Sequence, residues 1–344
     1  MKTLRGGLIG CGFFAVNHLH AWADCDGAGI VAICDHDSVR LRLIGEKFGI
    51  ANRYTDAAQM IAAEKLHFLD IATTAATHRG LVEMAASAGL PVICQKPFAT
   101  TLSDAKAMVA ACAAANVALM VHENFRWQSP LRAVKRILDS AEIGEAFWGR
   151  VSFRSAYDVF SGQPYLAEGE RFIVEDLGIH ALDVARFLFG EVENLSARIK
   201  RVNPGIKGED VATVLLDHGT GVSSIVDCSY ASLLEQELFP QTLIEIDGTN
   251  GSLRLAANYA VSITTRQGTR HIDVSPPLLP WASRPWHNIQ ESVLRVQQHW
   301  VKCLAEKLEP ETSGRDNLNT LALVEAVYLS AKTKQTIEVG TLLH

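Results

Sequence analysis

Across the first 120 or so residues, short apolar runs alternate with amphipathic segments, and this rhythm constrains the fold more than any other feature. "LRGGLIG" (4–10) reads as a buried strand, followed by a helix through "AVNHLHAWADC". "GIVAICD" (29–35) is a second strand, and "SVRLRLIGEKFG" (38–49) a helix with a glycine stop. A third strand lies in "LHFLDIATT" (66–74), a helix in "HRGLVEMAASAG" (78–89), and a fourth strand in "PVICQKP" (91–97). "TLSDAKAMVAACAAAN" predicts the next helix, capped by Thr101 or Ser103, and "VALMVHEN" a fifth strand. Parallel neighbours need a crossover, so strands and helices at this spacing predict βαβ units and a sheet covered on both faces.

The first strand-to-helix turn, "GCGFFA", has the form GxGxxA. Gly10 permits the tight turn and Gly12 lets backbone approach a pyrophosphate, with Phe13 and Phe14 leading into a helix whose free N–H groups face the anion. The second strand ends in Asp35, where a carboxylate would hold the adenosine ribose hydroxyls and repel a 2′-phosphate. The pattern therefore predicts a doubly wound Rossmann sheet that binds a dinucleotide, NAD rather than NADP. Arg40 either softens that preference or lies against the adenine.

Beyond residue 125 the rhythm changes, which divides the chain into residues 1–124 and 125–344. "EAFWGRVSFRSAYD" reads as a strand and "GIHALDVARFLFG" as a helix. Strand-like runs separated by turns such as "DHGTG" and "DGTNG" then predict an α+β domain with an open, largely antiparallel sheet, closed by two C-terminal helices. An apolar open sheet needs a covering partner, so a homodimer or homotetramer is expected. The net charge of −6 and the lack of a basic run argue against nucleic acid. No apolar stretch suits a bilayer span or a secretory signal. The seven cysteines are scattered, with no CxxC, which fits free thiols in a reducing cytoplasm.

Two places carry chemistry. Lys96 stands at the C-terminal end of the fourth strand, the edge where open α/β sheets bind ligands; its alternative is a solvated lysine before a proline turn. "IVEDLGIHALD" (173–183) sets Asp176, His180 and Asp183 at helical spacing. A helix cap with a core histidine, a divalent-metal site and an acid–base pair all fit that spacing. Arg126, Arg154, Tyr157 and Asp158 are lesser candidates for contacts with ligand hydroxyls.

"GLIGCGFFA", "QKP", "NFRW" (124–127) and "EDLGIHALD", in this order, resemble the Gfo/Idh/MocA oxidoreductases, NAD(P)-dependent sugar and polyol dehydrogenases. The likeness spans essentially the whole chain. It implies catalytic roles for Lys96, Asp176 and His180, and places Asn124 near nicotinamide or substrate. It also implies that Thr73, Thr74 and His78 lie along the cofactor. Two departures stand out. Gln95 replaces the family's usual glutamate, leaving an amide able to bond the nicotinamide ribose. "RFIVE" replaces a frequent glycine cluster, which alters the substrate pocket. The run from 149 to 180 is most similar to the branch that oxidises the branched pentose D-apiose at its anomeric carbon to a lactone.

The expected chemistry is a hydroxyl proton passing to His180, with Asp176 fixing its tautomer or touching the substrate, and Lys96 steadying the reacting oxygen. Lys96 and His180 exchange roles in the alternative version. Competing readings are a cyclic polyol or sugar-acid substrate, a non-catalytic NAD-binding regulator, and a metal-dependent lyase or isomerase using Asp176, His180 and Asp183.

Overall fold

A computed structural model describes residues 3–343 of the chain. It forms two compact units, one running to Glu123 with Val293–Leu318 added, the other Asn124–Ser292 with Asn319–His344. A single break at residue 124 leaves Val293–Leu318 in the second unit. Those residues instead join the first, where the Val121 N–H donates to the Thr312 carbonyl at 2.7 Å and the Thr312 hydroxyl donates back to the Val121 carbonyl at 2.7 Å.

The first unit runs β1 (Leu4–Ile9), α1 (Ala15–Asp24), β2 (Ala28–Cys34), α2 (Ser38–Lys47), β3 (Asn52–Tyr54), α3 (Ala57–Ala63), β4 (Phe68–Ile71), α4 (Ala75–Ser87), β5 (Val92–Gln95), α5 (Leu102–Ala114), β6 (Leu119–His122). All its strand pairs are parallel, in the order β3-β2-β1-β4-β5-β6. β4, β5 and β6 are buried at every position, as strands covered on both faces must be. Thr101 caps α5, its hydroxyl accepting the Asp104 N–H at 3.0 Å. The β3–α3 pair escapes the sequence pattern, because "NRY" at a sheet edge is too short to display a period.

The second unit adds α6 (Ser129–Asp139), β7 (Ala146–Arg154), α7 (Ile179–Phe189), β8 (Val192–Lys200), β9 (Val211–His218), β10 (Ser223–Ser229), β11 (Leu243–Gly248), β12 (Gly251–Leu255), β13 (Ala260–Thr265) and β14 (Gly268–Asp273). α8 (His287–Glu306) and α9 (Gly314–Thr333) each divide their residues between the units, and β15 (Ile337–Glu338) and α10 (Gly340–Leu343) complete the second. Its nine-stranded sheet has the order β14-β13-β12-β11-β7-β10-β9-β8-β15, antiparallel except where β7 meets β10. β9 alternates buried and open residues along its length, so one face of the sheet there is exposed. Among the described residues no helix is long and apolar enough to cross a membrane.

Every residue of α7 except Phe187 is buried. A charge on such a helix has to be paired, and Asp183 is. Arg126 grips it in a fork, Nε at 2.7 Å and Nη2 at 2.5 Å, and the Thr320 hydroxyl donates at 3.0 Å. Burial pushes the Asp183 carboxyl up, but the Arg126 and Arg186 charges and these hydrogen bonds outweigh it, so it ionises below the usual range. The stability it contributes is therefore complete above the unfolded value of about 3.9 and is lost as pH falls through the lower folded value. Asp183→Asn should lower stability by about 3–5 kcal/mol at pH 7, since it strands a buried guanidinium. Urea midpoints measured downward from pH 7 should show that gap persisting to about pH 4 and closing only below it; a gap that closes near neutrality contradicts this.

Candidate active site

In the first unit the strand order reverses between β1 and β4, and the carboxyl ends of the parallel strands form one edge there. Gly10 sits at φ +95°, and a Cβ on it would lie 2.8 Å from Ala72 backbone, so no other residue fits that turn without strain. A Cβ on Gly12 would meet nothing within 4 Å. That open approach to the start of α1 is what a pyrophosphate needs, so the residues present fit a dinucleotide. Asp35 follows β2: Oδ2 accepts the Cys11 N–H at 2.8 Å and Oδ1 accepts the Asp37 N–H at 2.9 Å. The same carboxylate thus ties the glycine turn to the end of the next strand. Arg40 lies 3.4 Å from it, a partial neutralisation that belongs to Asp35 itself. Phe13 is 51% exposed, while Phe14 turns its ring edge toward His18 and His122.

Thr73 and Thr74 follow β4 on the same edge, with Thr77 donating to Thr73 Oγ1 at 2.7 Å. His78 is a different case. It is fully buried, and its ring nitrogens lie 3.1 Å from the Phe98 and Thr73 carbonyls. Burial lowers its pKa against the pull of those carbonyls. The ring thus lies between the Phe98 and Thr73 carbonyls and braces the two loops. Gln95 ends β5 and Lys96 follows it, half-buried, at the same carboxyl edge.

The second unit carries the other group. Val174–Gly178 is a single wide π-helical turn leading directly into α7, a departure that often marks functional sites. Glu209 holds its start: Oε1 accepts the Phe172 and Val174 N–H groups, each at 3.2 Å, and the Tyr328 hydroxyl at 2.7 Å. Asp176 rides on the wide turn, half-buried. His180, 5% exposed, stacks flat on Phe125 with centroids 4.0 Å apart. The stack fixes the ring plane. Asn124, one residue before Phe125, donates to the Ser292 hydroxyl at 2.6 Å. Asp183 is saturated by Arg126, so the three polar groups of "IVEDLGIHALD" cannot all be metal ligands. No cluster of three metal-binding side chains exists among the described residues.

Two lesser candidates have partners within the unit. Arg154 follows Phe153 on β7 and so points to the opposite face. Phe153 lies toward Phe125, whereas Arg154 pairs with Asp227 at 3.0 Å and shares it with Arg150. Tyr157 stacks on Phe239 at 4.0 Å. The sequence pattern misses one residue, Tyr230, just past β10. It stacks on Phe172 with centroids 5.7 Å apart, and burial first, then the Asp176 charge, push its phenol well above the ordinary value. Its only sequence signal is that β10 ends beside β7.

Residues 4–123 match the model of the oxidoreductase family with an NAD-binding Rossmann fold, and residues 131–254 match the GFO/IDH/MocA C-terminal domain. The chain belongs to the GFO/IDH/MocA oxidoreductases. It is 64% identical to a D-apiose dehydrogenase of Paraburkholderia graminis, across 99% of this chain and 91% of that one. A D-apiose dehydrogenase of Rhizobium rhizogenes is 63% identical, across 100% and 99%. An oxidoreductase from Agrobacterium radiobacter, solved with NAD+, L-tartaric acid and magnesium, superposes with a TM-score of 0.98 at 62% identity, over 99% of this chain and 100% of that one.

This GFO/IDH/MocA member is thus an NAD-dependent oxidoreductase, and the open space at Gly12 gives a direct test. Gly12→Val should fold as the parent does yet weaken NAD+ binding by about 100-fold or more, because it fills the approach to α1. Gly10→Ala should also lose about 1–3 kcal/mol of stability through backbone strain. NADH fluorescence titration and urea unfolding check both; parental affinity in Gly12→Val contradicts the assignment.

Proposed function

We propose that this enzyme oxidises D-apiose at the anomeric carbon, giving the lactone and NADH. The full-length likeness to two D-apiose dehydrogenases carries that substrate, and the residues supply a mechanism. In the reaction a C–H bond gives up a hydride, an O–H bond gives up a proton, and a C=O bond forms. Bound NAD+ supplies the hydride acceptor. His180 takes the anomeric hydroxyl proton, its ring plane held by Phe125. Asp176, one turn earlier, bonds a substrate hydroxyl. Lys96 bonds the reacting oxygen and steadies its growing negative charge.

A sugar acid is the second reading, favoured because the Agrobacterium radiobacter relative was solved with L-tartaric acid. We also take the enzyme to be a homodimer or homotetramer in a reducing cytoplasm. Leu215, 48% exposed on the open face of β9, and seven buried free thiols support those two readings.

NADH absorbance with a panel of aldoses, polyols and sugar acids should rise most with D-apiose. His180→Asn should lower kcat by about 10²–10⁴-fold, and Lys96→Met by about 10²–10³-fold. Wild-type kcat in His180→Asn at neutral pH would remove it as the base, and silence across the whole panel would leave an NAD-binding regulator.

A further inference from the structure

Beneath Lys96 lies a buried polar chain that the reaction scheme does not use. Asp70 on β4 and His18 on α1 are both fully buried, and Gln95 is 7% exposed. Asp70 Oδ2 lies 2.8 Å from His18 Nδ1 and accepts the Trp22 indole N–H at 2.6 Å. His18 Nε2 lies 3.3 Å from Gln95 Nε2, and Gln95 Oε1 accepts the Lys96 backbone N–H at 2.7 Å.

Every direction in this chain follows from its last link. A backbone N–H only donates, so the Gln95 atom facing Lys96 is the oxygen, and the NH2 end faces His18. His18 Nε2 must then be the acceptor, which puts the ring proton on Nδ1, where it donates to the Asp70 carboxylate. The other groups around the ring agree with a fixed orientation. His122 stacks on it with centroids 4.1 Å apart, Phe14 meets it edge-on, and Gln297 donates to its backbone carbonyl at 3.3 Å.

We propose that Asp70, His18 and Gln95 are positioning residues that, through one directed hydrogen-bond chain, hold the peptide carrying Lys96 in its reactive orientation. The proposal rests on the reading of Lys96 given above. It also explains an amide at position 95. A glutamate there would set an acceptor oxygen against His18 Nε2 and require a proton on that nitrogen, leaving the imidazolium between the Asp70 carboxylate and the introduced one.

The test uses the full-length enzyme labelled with ¹⁵N-histidine, with His18→Gln assigning the signal. His18 should show a protonated Nδ1 and an unprotonated Nε2, and Gln95→Glu should add a proton to Nε2. Gln95→Met should lower kcat by about tenfold or more while leaving the circular dichroism unchanged. In a Lys96→Met background the same change should cost nothing further, because both act through one group. A proton on wild-type Nε2 overturns the chain whatever Lys96 does, and full additivity with Lys96→Met reduces it to a fold element. Wild-type kcat in Lys96→Met would instead topple the lysine reading, and with it the chain's catalytic purpose, while the His18 tautomer still reports on the hydrogen bonds.

Discussion

The hydrogen bond from the Cys11 N–H to Asp35 Oδ2, 2.8 Å long, is the contact on which the cofactor end of the enzyme depends. It joins the turn after β1 to the end of β2 and so fixes where the glycine loop lies against the carboxyl edge. Gly10 can take its positive φ there only because it lacks a Cβ, and Gly12 leaves the start of α1 open. The strand ends that follow, after β4 and β5, line up because parallel strands with covering helices bring every carboxyl end to one side. Lys96 is a consequence of that alignment.

The second unit solves a different problem. Its key helix, α7, is buried nearly all round, so each polar group on it needs a reason. Asp183 has one in the Arg126 fork, and His180 has one in its stack on Phe125. The wide turn before the helix, held by Glu209 and Tyr328, displaces Asp176 from ordinary helical register. A carboxylate and an imidazole are thereby set on one continuous segment.

Much of this is legible in the sequence, for a physical reason. Gly10, Gly12, Asp35 and Lys96 stand at strand ends, and strand ends show wherever an apolar run stops. The alternation of β9 and the turns around it announce an antiparallel sheet in the same way. What stays hidden are groups whose surroundings come from distant chain. Asp70 and His18 sit inside apolar runs and read as core, since nothing local says that they face each other across 52 positions. Arg154 reads as an open polar side chain, and nothing local shows that it meets Asp227, 73 positions away. His78 reads as a helix-start residue, and nothing local says that its ring lies between the Phe98 and Thr73 carbonyls.

In the reaction proposed for this enzyme, a hydride leaves the anomeric carbon of a sugar for NAD+. The direct measurement is turnover of D-apiose carrying deuterium at that carbon, followed by NMR of the nicotinamide product. Deuterium should appear at C4 of NADH, one per turnover, with unlabelled lactone formed alongside. NADH formed without deuterium, or label kept in the sugar product, would contradict it.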